Sequence, residues 1–154
     1  MVTQSAEETR AAGRAFSRQL QPGDVVLLEG PLGSGKTLFV QGIAEGLGAS
    51  IPATSPSFIL MQEYTLGGDR VLRHLDLYRL RDPRVDLDRL GLPELLMDQA
   101  AITVIEWADR LPAEVLPARR SFNEGGAKGS RRIRVRFGHG QRENERTLDV
   151  GEPQ

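Results

Sequence analysis

Cysteine is absent from the 154 residues of this chain, which excludes disulfide bonds, thiol catalysis and metal sites with cysteine ligands. No apolar run is long enough to span a membrane and no signal peptide is visible, so we expect a cytoplasmic protein without a membrane partner. The formal net charge of -1 gives the chain no strong field of either sign. Charge alone therefore does not mark it as a binder of nucleic acids or membranes.

Lysine is nearly absent as well, because Lys36 and Lys128 are the only lysines among 20 basic residues. Arginine thus supplies almost every positive charge. Lysine differs from arginine in carrying a compact ammonium group that acts as a point charge. Its use at position 36 is informative because that position lies in a glycine-rich segment.

Residues 30–37 match the phosphate-loop pattern G-x-x-x-x-G-K-[ST]. Glycines in such a loop let the backbone wrap around a phosphate chain with its N–H groups turned inward. The lysine can then reach the terminal phosphates, and the threonine hydroxyl can ligate Mg2+. A glycine-rich turn that matches by chance is the alternative, but the apolar run before the loop and an amphipathic segment after it favour a phosphate site. The expected phosphate-binding residues are Gly30, Gly33, Gly35, Lys36 and Thr37.

Helical and strand patterns alternate along most of the chain, with one domain expected over residues 1–150 and a tail over residues 151–154. A double glycine between two strands at residues 66–69 predicts a hairpin. The predicted helices are Ser5 to about Leu20, Lys36 to Leu47, and a mostly helical region from Pro83 to about Gln99, broken at Gly91 and Pro93. The predicted strands are Val25 to Glu29, Phe58 to Tyr64, Val71 to Tyr78, Ala100 to Ile105, one around Ile133 to Phe137, and a short one from Thr147 to Val150.

Two acidic residues lie at or near the ends of predicted strands and compete for the role of magnesium partner. Glu106 ends an uninterrupted apolar strand, the arrangement that sets an acidic residue beside the loop in many phosphate-loop proteins. Asp76 ends a less apolar strand and is the weaker match. Either carboxylate could hold Mg2+, hold one of its waters or orient the attacking water. A solvated strand end or a helix cap is the ordinary alternative for each.

Further candidates have ordinary structural alternatives. The loop Thr54 to Ser57 could sense a terminal phosphate as switch segments do, or it could be a Ser-Pro turn. Trp107 and His74 could belong to a site, although core packing and a strand position with a satisfied hydrogen bond are the commoner roles. Seven basic residues from position 119 to position 136 could form a partner-facing patch or a solvated strand face.

The kind of nucleotide and its fate are only partly indicated by the residues. The guanine-specific N-K-x-D motif is absent, which favours adenine. Three functions stay open at this point: an ATPase, a small-molecule kinase with a lid built from Arg79, Arg81 and Arg84, and a module that binds nucleotide without hydrolysing it. A kinase would phosphorylate an added metabolite, whereas an ATPase would release phosphate to water.

Four motifs, taken in their order and spacing, resemble the bacterial TsaE (YjeE) family. They are residues 30–37, Ser55-Pro56-Ser57-Phe58, the segment from His74 to Leu80, and Ile105-Glu106-Trp107. Members of this family are small ATPases needed for threonylcarbamoyl modification of the adenosine beside the tRNA anticodon. The resemblance spans roughly Ser5 to Val150. It implies an α/β fold, the P-loop NTPase three-layer sandwich, with a parallel central sheet and antiparallel additions.

The resemblance also implies cofactors and partners. ATP would bind together with Mg2+. The protein would dock onto the threonylcarbamoyltransferase (TsaD) and its paralogous subunit (TsaB), where ATP hydrolysis resets the complex between catalytic cycles. Contact with tRNA would then be indirect.

Individual roles follow from the same resemblance. Residues 33–37, Ser34 among them, would bind the phosphates, while Thr37 and Glu106 would hold Mg2+. Asp76 and Glu106 would be catalytic. The remaining implied cofactor contacts are Ser57 in the switch loop, Trp107, the chain near Ser5 to Thr9, and an arginine at Arg131 or Arg132 beside the adenine.

The chain departs from the family pattern at several positions. The family usually has Asp where Pro31 stands and Thr where Ser57 stands. Ser57 keeps a hydroxyl, but Pro31 removes a carboxylate and an N–H donor. The departure puts any role assigned to position 31 in question.

Overall fold

The structure is a computed structural model, and it describes residues 1–54, 60–112, 115 and 131–152. These residues form one seven-stranded sheet with helices on both faces. The strands are β1 (Val2–Thr3), β2 (Val25–Glu29), β3 (Met61–Thr65), β4 (Val71–Asp76), β5 (Ala101–Glu106), β6 (Arg132–His139) and β7 (Arg146–Val150). The helices are α1 (Ala6–Ser17), α2 (Lys36–Gly46), α3 (Pro83–Arg89) and α4 (Leu92–Leu95), and a 3₁₀ turn spans Ala108–Arg110.

The sheet has the strand order β1-β7-β6-β2-β5-β4-β3. Its four central strands, β6, β2, β5 and β4, are parallel, whereas β3 pairs antiparallel at one edge and β7 and β1 pair antiparallel at the other. Strands β2 and β5 are almost continuously apolar because both of their faces are buried. The topology confirms the predicted parallel sheet with antiparallel additions.

Two apolar clusters lie on opposite faces of the sheet. Phe16 of α1 and Phe39 of α2 belong to the first cluster, together with Val26 and Val104 from the central strands. In the second cluster, residues of α3 and α4 pack against β2, β4 and β5 on the other face of the sheet. The arrangement of helix, sheet and helix confirms the three-layer sandwich.

Helices α1 and α2 approach each other closely through glycines. A Cβ added to Gly42 would lie 2.0 Å from the Arg10 carbonyl oxygen, and one added to Gly13 would lie 2.2 Å from the Phe39 carbonyl oxygen. No side chain larger than hydrogen fits between these backbones without a shift. Because α2 begins directly after residues 30–35, the tight contact with α1 also fixes that loop against the sheet.

Most predicted elements are confirmed, with shifted ends. The hairpin is present, and Leu66 N donates to Arg70 O across its turn. The helical region does break at Gly91, but Pro93 lies in the first turn of α4 and does not interrupt it, because that turn needs no N–H from proline. The predicted strand from Phe58 begins only at Met61 among the described residues. The short edge strand β1 was not predicted.

The described residues contain no helix that is both long enough and apolar enough to cross a membrane. The longest helix, α1, has 12 residues and carries charged side chains along its exposed face.

We predict that Gly42→Ala lowers the free energy of unfolding by about 1–3 kcal/mol, because the added methyl group would overlap backbone atoms of α1. The matched variant is Gly46→Ala, whose methyl group would meet the Ser17 hydroxyl oxygen at 2.2 Å, a side-chain atom that can rotate away. Its effect should be smaller, because its nearest backbone atom, the Arg14 carbonyl oxygen, would lie 3.0 Å away instead of 2.0 Å, while both variants gain about 1 kcal/mol from the helix preference of alanine. Urea unfolding measures both, and a Gly42→Ala variant at least as stable as the parent would contradict the close packing.

Candidate functional site

The loop of residues 30–35 connects β2 to α2 at the carboxyl edge of the sheet. Gly30, Gly33 and Gly35 all have positive φ, at 140°, 76° and 98°, a region that other residues rarely adopt. A Cβ at Gly30 would also lie 2.4 Å from the Phe137 carbonyl oxygen. Gly35 is the N-cap of α2 and has no side chain to cap the helix. The first N–H groups of α2 therefore remain directed at a potential anion.

Lys36 turns its side chain back across the loop. Its Nζ donates to the carbonyl oxygens of Gly30 and Pro31, each at 2.8 Å, and lies 3.5 Å from the Ser34 hydroxyl. The ammonium also lies 3.9 Å from the ring centre of Trp107, a cation–π distance. Burial lowers the pKa of Lys36, and nearby carboxylates, led by Glu106, oppose this shift.

Thr37 and Glu106 are brought together from different elements. The Thr37 hydroxyl lies 3.0 Å from each oxygen of the Glu106 carboxylate, which is 2% exposed at the end of β5. A hydroxyl and a carboxylate are the hard oxygen ligands that Mg2+ prefers. The described residues contain no group of three or more His, Asp or Glu side chains able to hold a metal alone. A bound Mg2+ would therefore need phosphate or water oxygens as well.

Asp76 ends the neighbouring strand β4 and lies opposite Glu106 in the parallel ladder. It is 7% exposed, and its Oδ1 accepts a hydrogen bond of 3.0 Å from Tyr78 N. Both predicted carboxylates thus reach the same edge of the sheet beside the loop. A cavity of about 420 Å³ is lined there by residues that include Gly33, Lys36, Thr37, Asp76, Glu106 and Trp107.

Trp107 follows Glu106 at the point where the chain turns away from the sheet. Its backbone is left-handed, with a φ of 59°, and its ring packs 4.8 Å from the ring of Tyr78. The Arg110 guanidinium donates to the carbonyl oxygens of Leu77 and Tyr78. The segments that follow the two acidic residues are therefore tied to each other.

The structure does not bring Arg132 to this cavity. Arg132 pairs with Val25 at the start of β2, whereas the loop leaves the other end of that strand, roughly 13 Å away at 3.3 Å per residue. Arg131 is at the same distant edge, where its side chain binds the Asp24 carboxylate and the Gln19 carbonyl oxygen. Ser57, the expected switch residue, lies outside the described residues.

The sequence predicted only some of the residues that lie on the other side of the loop. A Cβ at Gly35 would lie 2.8 Å from Arg146 Cδ and 3.2 Å from the Thr9 methyl carbon. Thr9 falls in the segment near Ser5 that the resemblance pointed to, but nothing in the local sequence marked Arg146. Its position follows from β7 pairing with β6, which is a property of strand order and not of spacing along the chain.

His74 was expected to be an ordinary strand residue with a satisfied hydrogen bond. It is fully buried, and its partner is the Glu106 carboxylate, with His74 Nε2 at 2.8 Å from Glu106 Oε1. The bond could not be derived from sequence because His74 and Glu106 are 32 positions apart.

Comparison with known proteins gives one consistent result. A family model described as threonylcarbamoyl adenosine biosynthesis protein TsaE matches residues 3–143. A protein named tRNA threonylcarbamoyladenosine biosynthesis protein TsaE from Bacillus subtilis is 42% identical over 118 residues, which are 77% of this chain and 71% of that protein. The protein of the same name from Treponema pallidum is 40% identical over 114 residues, 74% of this chain and 82% of that protein.

A solved structure supports the same similarity. The crystal structure of Bacillus subtilis YdiB superimposes with a TM-score of 0.68 at 33% sequence identity. The alignment covers 96% of this chain and 80% of that chain. The structural similarity thus extends over nearly the whole chain.

The lowered pKa of Lys36 predicts a pH dependence for phosphate binding. We expect affinity for ADP to fall as pH rises through this pKa, because the neutral amine no longer attracts phosphate. The fall begins at a lower pH than for an ordinary lysine, and bound phosphate raises the pKa again, so binding in that range takes up a proton. Titration calorimetry in buffers of different ionisation enthalpy measures the uptake. Constant affinity with no proton uptake from neutral to strongly alkaline pH would contradict the assignment.

Proposed function

Because the chain belongs to the TsaE family, we propose that it is a Mg2+-dependent ATPase required for N6-threonylcarbamoyladenosine modification of tRNA at adenosine 37. It hydrolyses ATP in a complex with the threonylcarbamoyltransferase (TsaD) and its paralogous subunit (TsaB), and its contact with tRNA is indirect. The names of its relatives support the pathway. The arrangement of the loop and carboxylates supports the chemistry.

The observation that carries the proposal is the contact between Thr37 and Glu106. A hydroxyl from the phosphate loop and a buried carboxylate from the adjacent parallel strand lie 3.0 Å apart, beside the N-terminus of α2. This pair fits Mg2+ bound with nucleotide phosphates, since both ligands are hard oxygens and phosphate oxygens would complete the set. When bound, the metal would neutralise charge that develops on the transferred phosphoryl group.

Other residues of the chain bind the phosphates, orient the attacking water and exclude solvent. Lys36 binds the terminal phosphates through its ammonium, and the N–H groups of residues 33–37 bind them through the backbone. Asp76, on the strand next to Glu106, lies where a carboxylate can orient the attacking water. Trp107 and Tyr78 pack against each other in the lining of the cavity and limit the access of solvent water.

Two substitutions should separate nucleotide binding from turnover. Lys36→Ala should weaken ADP binding about ten- to hundred-fold, because it removes a charged hydrogen-bond donor. Glu106→Gln should retain ADP binding without metal but lose most Mg2+-dependent phosphate release, since an amide is a poorer metal ligand than a carboxylate. Asp69→Asn is the matched control, because Asp69 is exposed in the hairpin turn at the opposite end of β4. Phosphate release by Glu106→Gln at the parent rate would show that Glu106 is not the Mg2+ ligand needed for turnover.

The function as a whole is tested with the proposed partners. Phosphate release from ATP should be slow for the purified chain and faster with the transferase pair, and the chain should be retained by that pair in a pull-down that depends on ATP. The Lys36→Ala variant should lose both responses. Phosphorylation of an added metabolite without any response to the pair would favour the kinase alternative. Binding of ATP with no phosphate release under any of these conditions would favour a non-hydrolysing module.

A further inference from the structure

His74 lies within β4 and, among the described residues, is not one of those that line the cavity, but it is hydrogen-bonded to Glu106, which is. It is fully buried, as is its hydrogen bond of 2.8 Å to Glu106 Oε1. We propose that His74 is a positioning residue that holds the Glu106 carboxylate in the orientation needed for Mg2+ binding. The inference rests on the proposed function, because it assigns His74 a role toward the same metal site.

The alternation of side chains along β4 explains why His74 can reach Glu106. His74 and Asp76 are two residues apart and therefore point to the same face of the sheet. In the parallel ladder His74 lies opposite Val104 and Asp76 lies opposite Glu106. Leu75, between them, packs in the apolar cluster on the other face. The spacing His-x-Asp at the end of β4 thus places two side chains beside Glu106. His74 is a donor inside the sheet, and Asp76 is a carboxylate at its edge.

The direction of the hydrogen bond follows from the groups involved. An ionised carboxylate only accepts hydrogen bonds, so the proton of this bond lies on His74 Nε2. His74 Nδ1 is buried and has no hydrogen-bond partner among the described residues. Among the described residues, the hydrogen bond from Nε2 is therefore the one that ties the imidazole to the site, and the buried ring gives this donor a fixed direction.

The carboxylate needs this second donor because Thr37 satisfies only one of its oxygens at a time. Thr37 Oγ1 lies 3.0 Å from both Glu106 oxygens but has a single proton to donate. With Oε1 accepting from His74, the Thr37 proton is left for Oε2. The bond to His74 fixes Oε1, so the orientation of the Glu106 carboxylate does not depend on Thr37 alone. Such outer contacts commonly tune metal affinity about 10–100-fold.

The test compares His74→Leu with His74→Gln. Leucine is apolar and removes the donor, whereas the glutamine side-chain amide can place an N–H donor near the position of Nε2. We expect His74→Leu to bind ADP normally in the absence of metal, because Lys36 and the loop backbone are unchanged. The Mg2+ concentration that half-saturates the ADP complex should rise about ten-fold. His74→Gln should recover most of the parent Mg2+ affinity.

Titration calorimetry with Mg2+ and ADP provides the readout, and thermal unfolding monitors stability in the same samples. A folded His74→Leu variant with the parent Mg2+ affinity would overturn the proposal. It would also be overturned if His74→Gln lost Mg2+ affinity as fully as His74→Leu, because the donor would then be irrelevant. Failure of the proposed function looks different, since the parent protein itself would then show no Mg2+-dependent nucleotide binding.

Discussion

The contact between the Thr37 hydroxyl and the Glu106 carboxylate depends on the register of two parallel strands. Leu28 near the end of β2 lies opposite Glu106, so β5 ends level with the start of the phosphate loop. A slip of one residue would turn Glu106 to the opposite face of the sheet. The apolar pairs that set this register, such as Val26 with Val104, therefore also position the site. The packing of α1 on α2 is the second requirement, because it fixes the position of Thr37, at the start of α2, relative to the sheet.

The same edge of the sheet buries groups of opposite charge close together. Lys36, Asp76 and Glu106 are all at most 7% exposed, and each would be costly to bury alone. The ammonium is stabilised by two carbonyl oxygens and the Trp107 ring, and Glu106 by Thr37 and His74. These hydrogen bonds offset the cost of burying the charges and hold the side chains at this edge of the sheet.

How much could be predicted from sequence depends on whether the signal is local. The loop, Glu106 and Asp76 could be placed at one edge of the sheet because each lies within or directly after a recognisable strand, and parallel strands bring such ends together. The motif resemblance to the TsaE family is confirmed by the family model and the relatives. Arg132, which the resemblance placed beside the adenine, lies opposite Val25 at the start of β6, away from the loop, and its contact with adenine stays a prediction. The bond of His74 and the two-residue strand β1 required tertiary contacts that no local pattern encodes.

Pro31 illustrates how the loop tolerates a departure from its family. Proline has no N–H, so position 31 cannot donate to a phosphate. The loop instead uses the Pro31 carbonyl oxygen, which accepts from Lys36 at 2.8 Å and from Ser34 N at 3.4 Å. Gly30, one residue earlier, is restricted by its φ of 140° and by the Phe137 carbonyl, constraints that do not extend to its neighbour. Position 31 therefore contributes its backbone oxygen to the placement of Lys36, and proline supplies that oxygen as well as aspartate does.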